Sequence, residues 1–131
     1  MDILLIDRES DLLDLLEDLI RFASPQGGGW RIQKARKPED AVQLALQSGP
    51  DLVVVDPRFS EKWGMSLIKT IRQVRPRTTV IVLCNCGSDL CSLYCRDRYR
   101  EFGVDRHVDK TQGLLGIPGM VRELQRNAAV C

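Results

Sequence analysis

The uninterrupted apolar run at residues 52–55 constrains the fold of this chain most. It is followed directly by Asp56, and a similar run at residues 3–6 is followed directly by Asp7. Such a run suits a strand that is buried on both faces, as in a parallel sheet. The carboxyl ends of parallel strands lie side by side along one edge of the sheet. We therefore expect Asp7 and Asp56 to meet there, together with Lys110, which comes after a third strand-like segment.

The apolar period switches repeatedly between that of a strand and that of a helix. Strand-like segments lie at residues 3–6, 30–32, 52–55, 80–83 and 104–108. A helix-like segment follows each of them, and the connections are short. This alternation predicts a doubly wound α/β fold with three layers and a five-stranded parallel sheet, like that of flavodoxin. The continuous runs belong in the centre and the second and fifth strands at the edges, which fits the order 2-1-3-4-5.

Capping and breaking residues set the expected ends of the helices. The first helix is expected to begin at a cap formed by Ser10 or Asp11 and to bury an apolar face that includes Leu15. The second helix is expected to start at Pro38 and to bury a face that includes Leu46. Glycines delay the start of the last helix, so we expect it to begin near residue 120.

Size and charge exclude several classes of function. With 131 residues, 44% of them hydrophobic, the chain can build one core, so a single domain over residues 1–131 is expected. A formal net charge of +1 gives no global attraction to nucleic acid or to an anionic membrane. No apolar run approaches the roughly 18 residues of a membrane span, and no signal-type segment begins the chain. We expect a cytoplasmic protein that binds neither nucleic acid nor membrane directly.

Four spaced segments together resemble the receiver domain of two-component response regulators. They are residues 3–7, residues 50–56 with Gly64 eight positions further on, residues 80–84 and residues 103–110. Their order and spacing cover nearly the whole chain. The resemblance implies a phosphorylation switch: an aspartate accepts a phosphoryl group from a sensor histidine kinase or a phosphotransfer protein, with Mg²⁺ assisting. It implies no conventional enzyme, only self-catalysed phosphotransfer and autodephosphorylation.

The resemblance also assigns a role to individual positions. Asp56 would be the phosphoacceptor, and Lys110 and Cys84 would contact the phosphoryl group. Mg²⁺ would be bound by Asp7, by Asp56 and by the backbone carbonyl of Arg58. These residue types suit phosphoryl transfer, which depends on positioning and on neutralising charge. The surface formed by the fourth helix, the fifth strand and the fifth helix would contact an output domain, an effector protein or a second copy of the chain.

Arg8 is the departure from the family pattern with the largest electrostatic consequence, because a second acidic residue is usual there. If Arg8 converges with Asp7, Asp56 and Lys110, the four charges sum to about zero and Mg²⁺ binding is weakened or lost. Two hypotheses follow. In the first, Asp56 is still phosphorylated with a weaker dependence on Mg²⁺. In the second, Arg8 replaces Mg²⁺ by pairing with Asp56, and the domain is an atypical receiver that works without phosphorylation.

Four further positions differ from the family pattern. Cys84 offers a weak thiol donor where a serine or threonine hydroxyl is usual, and Asn85 replaces a small residue. His107, the only histidine of the chain, stands at the aromatic position of the fifth strand. Thr111 replaces the proline that generally follows the lysine, so a cis peptide bond is not expected there. These changes affect the usual relay from the site to the surface.

The cysteines suggest a function of a different class. Cys84, Cys86, Cys91 and Cys95 lie within a dozen residues, as in a thiol redox sensor or a metal sensor. Their spacing is not that of a zinc knuckle. Two cysteines four apart on a helix have Cβ atoms about 5–6 Å apart, which is too far for an unstrained disulfide. Reduced cytosolic thiols are therefore the favoured interpretation.

Overall fold

The structure, a computed structural model, describes residues 1–24, 29–57, 64–84, 103–111 and 113–130. Its strands are β1 (Asp2–Ile6), β2 (Arg31–Ala35), β3 (Leu52–Val55), β4 (Thr79–Cys84) and β5 (Arg106–Asp109). Its helices are α1 (Ser10–Ala23), α2 (Pro38–Ser48), α3 (Gly64–Val74), a short 3₁₀ helix (Leu114–Gly116) and a C-terminal helix (Ile117–Val130).

Within the described residues, the strands form a five-stranded parallel sheet in the order β2-β1-β3-β4-β5. This confirms the predicted fold class and strand order. The register pairs Ile6, at the end of β1, with Ala35 at the end of β2 and Val55 at the end of β3. These three strands therefore end level, and the residues that follow them start from a common edge. β4 extends two residues beyond the end of β3, and its last residue, Cys84, pairs with Asp109 at the end of β5.

Each face of the sheet has its own apolar core. Ile3 and Leu5 of β1 pack on one face with α1 and the C-terminal helix. Leu4 and Ile6 of the same strand pack on the other face with α2 and α3. Because both faces are covered, the central strands must be apolar at every position, which explains the continuous runs in the sequence.

The buried face and the cap of α1 differ from the prediction. The buried residues of this helix are Leu13, Leu16, Ile20 and Ala23. Leu15, which was predicted to be buried, is 46% exposed. Apolar residues cover about half of the circumference of the helix, so their spacing does not determine which part meets the sheet. The predicted cap was also wrong: α1 begins at Ser10, and Glu9 occupies the cap position without a side-chain hydrogen bond.

Two other helix predictions require correction. Leu46 of α2 is 50% exposed, because the small residues Ala41 and Ala45 make the buried contact of that helix. The C-terminal helix begins at Ile117, three residues before the predicted start. Pro118 lies in its first turn, where a helix does not need the missing N–H group.

The start of β5, the predicted fourth helix and the possibility of a membrane span are the remaining predictions about the fold. β5 begins at Arg106, two residues later than predicted. The predicted fourth helix, over residues 88–102, lies outside the described residues. None of the helices in the described part of the chain combines the length and the apolar content that a membrane crossing requires.

Candidate functional site

Three charged side chains meet at the carboxyl edge of the sheet, just beyond the ends of β1, β3 and β5. The backbone N–H groups of Asp7, Asp56 and Lys110 each donate to the carbonyl of the last residue of a neighbouring strand, at 3.1, 3.1 and 2.7 Å. The backbone of all three residues is therefore held in the sheet, and the strand order alone brings their side chains together. This is the convergence that the sequence predicted.

The Lys110 ammonium bridges the two carboxylates. Its Nζ lies 2.8 Å from Asp7 Oδ2 and donates a hydrogen bond to Asp56 Oδ2. The exposed fraction of the side chain is 16% for Lys110, 2% for Asp7 and 12% for Asp56. Two carboxylates and one ammonium leave a formal charge of −1 in a crevice with little access to water. Electrostatic interactions are stronger there than at an exposed surface.

Asp7 is oriented by the chain that follows it. Its Oδ1 accepts a hydrogen bond from the Glu9 N–H at 2.9 Å. Its Oδ2 is buried and receives no hydrogen bond of normal geometry from the described residues. The ion pair with Lys110 is thus the contact that compensates this oxygen for the hydration it loses on burial. A buried carboxylate oxygen of this kind is available to a cation in the crevice.

The pKa of Lys110 is raised above its ordinary value by a balance of opposing effects. Burial of the amino group lowers the pKa, but the interactions with Asp56 and then with Asp7 raise it and together outweigh burial. The ammonium therefore remains charged throughout the neutral pH range. It provides a permanent counter-charge for the two carboxylates.

Arg8 does not take part in this cluster. Its side chain is exposed and forms no ion pair with Asp7, Asp56 or any other carboxylate among the described residues. Its backbone carbonyl accepts a hydrogen bond from Arg36 Nε at 3.0 Å. The described residues therefore lack the pairing of Arg8 with Asp56 that the second hypothesis requires, and the condition for a charge sum of zero is not met. Arg8 removes a carboxylate from the site but adds no cation to it.

Three further predicted positions, on or next to β4 and β5, differ in their burial and contacts. Cys84 is buried, and its Sγ donates to the carbonyl of Val108 at 3.5 Å, so its thiol contacts β5. His107 is half-buried on β5. Thr111 is exposed, with its N–H and hydroxyl donating to Asp109 Oδ1 at 2.7 and 2.6 Å. The peptide bonds of the described residues are all trans, including the bond before Thr111.

Other predicted positions lie outside the described residues. These are Arg58, Asn85, Cys86, Cys91 and Cys95. Within the described part of the chain, no group of three or more His, Cys, Asp or Glu side chains converges in a way that could hold a metal ion. The carboxylates of Asp7 and Asp56 are thus the described side chains available to a cation at this edge.

These two carboxylates fit Mg²⁺. This ion is usually held by one or two carboxylates and completes its coordination with water and phosphate oxygens. Asp7 Oδ2 and Asp56 Oδ2 contact the same ammonium nitrogen, so both carboxylates face one point in the crevice. Lys110 occupies the position between them, so a metal ion and this ammonium compete for the carboxylates.

The family model of the response regulator receiver domain matches residues 3–114. The chain belongs to this family. Receiver domains are signalling switches that typically bind Mg²⁺ and interact with histidine kinases, phosphotransfer proteins and output domains. The resemblance inferred from the four sequence segments is thereby confirmed. No curated protein matches the sequence significantly.

Solved receiver structures share the fold of this receiver domain. The signal receiver domain of a DNA-binding response regulator from Colwellia psychrerythraea is 20% identical with a TM-score of 0.82, covering 96% of this chain and 98% of that one. The receiver domain of an HD domain-containing protein from Pseudomonas fluorescens is 22% identical with a TM-score of 0.77, covering 99% and 98%. A two-component response regulator from Clostridium difficile is also 22% identical, with a TM-score of 0.76 and 96% of both chains covered.

Two contributions to the site were not predicted from the sequence. The Glu9 N–H fixes the orientation of Asp7, and the Arg36 side chain holds the carbonyl of Arg8. Both depend on the path of the loop between β1 and α1. The sequence contains no glycine or proline there that would have specified this path.

Proposed function

We propose that Asp56 accepts a phosphoryl group from the phosphohistidine of a sensor histidine kinase or of a phosphotransfer protein. The observation that supports this proposal is the Lys110 ammonium, which bridges the carboxylates of Asp7 and Asp56 in a crevice at the carboxyl edge of the sheet. Phosphoryl transfer needs a positioned nucleophile and nearby positive charge to neutralise the phosphoryl oxygens. Asp56 and Lys110 supply these two requirements.

The proposed reaction is an in-line transfer. An Asp56 carboxylate oxygen attacks the phosphorus, the P–N bond to the imidazole breaks, and its electron pair returns to the ring nitrogen, which is then protonated. Lys110 neutralises charge on the equatorial oxygens during the transfer. Bound Mg²⁺, held by Asp7 and Asp56, would supply further positive charge to the same oxygens.

Lys110 also offers a route by which phosphorylation changes the protein. The Asp56 side chain changes from one negative charge to a phosphate of about −1.5 to −2. The ammonium is then attracted more strongly to the phosphoryl oxygens than to Asp7. Because the Lys110 N–H is bonded to the end of β4, a shift of the side chain acts on the β4–β5 edge. We propose that the surface including β5 transmits the signal to an output domain or an effector protein.

The alternatives receive less support. An atypical receiver in which Arg8 replaces Mg²⁺ requires an Arg8–Asp56 ion pair, and Arg8 is exposed without one. A thiol or metal sensor would use the cluster from Cys84 to Cys95. Cys84 is buried and donates to the Val108 carbonyl, and the other three cysteines of the cluster lie outside the described residues. We therefore propose a single cytoplasmic receiver domain over residues 1–131 that works through Asp56.

The proposal is tested by incubating the protein with Mg²⁺ and acetyl phosphate and measuring its intact mass. One added phosphoryl group is expected in the wild type, none in Asp56→Asn, and one in the matched control Asp51→Asn at the opposite end of β3. Peptide mapping must place the group on Asp56. A wild-type protein that stays unmodified with both acetyl phosphate and a phosphorylated histidine kinase would refute the proposal, and phosphorylation-independent action would become the better explanation.

A further inference from the structure

A pocket of about 410 Å³ lies at the edge of the sheet where the strands begin, opposite the edge that carries Asp56. Small-molecule sites have volumes of about 300–1,000 Å³, so the pocket has the size of such a site. Its lining includes Trp30 before β2, Leu52 at the start of β3, Thr79 at the start of β4 and Leu124 of the C-terminal helix. We call it the amino-edge pocket.

Backbone hydrogen bonds between the strands hold the lining in place. The Asp51 N–H donates to the carbonyl of Asp2 at 2.8 Å, and the Thr79 N–H donates to the carbonyl of Asp51 at 3.0 Å. On the other side of β1, the Arg31 N–H donates to the carbonyl of Met1 at 3.0 Å. Four neighbouring strands are thus joined at their starts. A ligand would not have to order this part of the backbone, which favours binding.

The inner part of the pocket is apolar. Leu52 is fully buried and Trp30 is 8% exposed, so both belong to the core as well as to the lining. Met1 and Leu124 are partly buried and pack against the same core. A tryptophan ring and a methionine thioether both form favourable contacts with aromatic rings. The inner part therefore suits a flat apolar group.

The rim of the pocket carries an excess of positive charge. Arg77 is exposed and forms no ion pair or hydrogen bond with the described residues. Arg77 and Asp51 also line an adjacent hollow with Arg75, which donates to the Leu46 carbonyl at 2.9 Å and pairs with no carboxylate of the described chain. The Asp51 carboxylate accepts a hydrogen bond from the Asp2 N–H at 2.8 Å. Two arginines and one carboxylate leave a formal charge of +1.

We propose that the amino-edge pocket binds a small aromatic monocarboxylate, with its ring against Trp30 and its carboxylate on Arg77. The planar fork of an arginine matches the two oxygens of a carboxylate. One carboxylate balances the charge of the rim, whereas a phosphate monoester, at about −1.5 to −2, would leave excess negative charge beside Asp51. The proposal does not depend on the function proposed for Asp56, which lies at the other end of β3.

The first test varies the ligand and follows the indole N–H signal of Trp30 by NMR. The variant Trp63→Phe, which lacks the other tryptophan of the chain, assigns this signal. 3-Phenylpropanoate is expected to shift it saturably, and the neutral 3-phenylpropanamide is expected to bind about tenfold more weakly, because it loses the charge-assisted hydrogen bonds. Acetate, which lacks the ring, is expected to cause no saturable shift.

Three results of this titration would overturn the proposal. The first is a Trp30 signal that benzoate, 3-phenylpropanoate and 1-naphthoate all leave unchanged at millimolar concentration. The second is equal affinity for 3-phenylpropanoate and its amide, since the carboxylate would then not be recognised. The third is equal affinity for acetate and 3-phenylpropanoate, since the apolar lining would then contribute nothing.

The second test varies the protein. Arg77→Gln is expected to weaken binding of 3-phenylpropanoate by about tenfold, and Arg77→Lys by less, because lysine keeps the charge but not the fork. Lys69→Gln is the matched control, because it removes one positive charge from an exposed position of α3 that does not line the pocket. The NMR spectra of the variants check that they fold. Wild-type affinity in Arg77→Gln, or an equal loss in Lys69→Gln, would show that Arg77 does not hold the carboxylate and would refute the proposal.

Discussion

The molecule contains two clusters of the same composition that differ in their access to water. Each has one lysine between two carboxylates: the inner cluster is Lys110 with Asp7 and Asp56, and the outer cluster is Lys34 with Asp14 and Glu17. The contact distances are alike, with 2.8 Å from Lys110 to Asp7 and 2.6 and 2.7 Å in the outer cluster. The exposed fractions are 2–16% in the inner cluster and 24–67% in the outer one.

The two clusters show that the distances within an ion pair do not indicate what the pair does. Exposed pairs contribute about 0.2–1 kcal/mol, because water already solvates both partners. Removing one partner of a buried pair costs about 3–5 kcal/mol, because the remaining charge has no substitute for its lost hydration. The inner cluster thus has charges that respond strongly to an incoming cation or phosphoryl group. The outer cluster has the same groups without that sensitivity.

Replacement of each lysine tests directly whether burial makes the two clusters differ in energy. Lys110→Met is expected to reduce the free energy of unfolding by about 2–3 kcal/mol, somewhat below the range for fully buried pairs because the crevice retains some contact with water. Lys34→Met is expected to cost about 1 kcal/mol or less. Urea denaturation at neutral pH measures both.

Mg²⁺ supplies a second readout of the same pair of variants. Added Mg²⁺ is expected to raise the melting temperature of Lys110→Met more than that of the wild type, because the cation takes the place of the lost ammonium. It is expected to affect Lys34→Met no more than the wild type. Equal costs for the two lysine substitutions would show that burial does not distinguish the clusters.

The second prediction concerns the backbone that holds Lys110 in place. A Cβ added to Gly113 would lie 2.9 Å from Val108 Cγ1 and 3.0 Å from the backbone of Asp109, which cannot move without disturbing the end of β5. Gly113→Ala is expected to cost about 1–3 kcal/mol. Gly119→Ala is the matched control, because nothing lies within 4 Å of its added Cβ. That substitution is expected to be neutral or slightly stabilising, since alanine favours a helix. Equal stability of both variants would show that the close packing of Gly113 does not stabilise the end of β5 next to the inner cluster.

The sequence predicted the members of the inner cluster because their convergence depends only on the order and direction of the strands. It did not predict the direction of Arg8. Arg8 lies in the bend between β1 and α1, where neither the period of a strand nor that of a helix determines the direction of a side chain. The sequence also led to the wrong prediction that Leu15 is buried. The apolar residues of α1 cover more of the helix surface than the core contacts, so their spacing does not show which of them face the core. In both cases the missing information was the orientation of a side chain, which tertiary packing determines.

The third prediction concerns the missing carboxylate. Arg8→Asp is expected to strengthen Mg²⁺ binding by about tenfold, close to 1.4 kcal/mol, because it removes a positive charge next to Asp7 and adds a carboxylate there. Isothermal titration calorimetry measures the affinity. Arg77→Asp is the control, because it makes the same change of charge at an exposed position before β4, at the opposite end of the sheet. Unchanged affinity in Arg8→Asp would mean that position 8 is directed too far from the crevice to influence the ion.

The smallest expected effect is the response of the outer cluster to acid. The hydrogen bond from Lys34, and then that from Arg21, lowers the pKa of Glu17 below its ordinary value of 4.5. A group whose pKa is lower in the folded protein stabilises it above the unfolded pKa, and this contribution is lost as the pH falls through the folded value. The difference in free energy of unfolding between the wild type and Glu17→Gln is therefore expected to be about 0.5 kcal/mol or less at neutral pH and to vanish in acid.

Measurements of stability at alkaline pH give the matching control for both clusters. The pKa of Lys34 is raised above 10.5, first by its hydrogen bond to Asp14 and then by that to Glu17, and the pKa of Lys110 is raised as well. Groups of this kind stabilise the fold below the unfolded pKa and lose their contribution only as the pH rises through the folded value. Between neutral pH and about 10, the cost of Lys110→Met and the much smaller cost of Lys34→Met should both stay constant. A fall in the cost of Lys110→Met within that range would show that the ammonium loses its proton earlier than its two carboxylate contacts imply. The inner cluster would then lack the permanent counter-charge on which the proposed phosphoryl transfer depends.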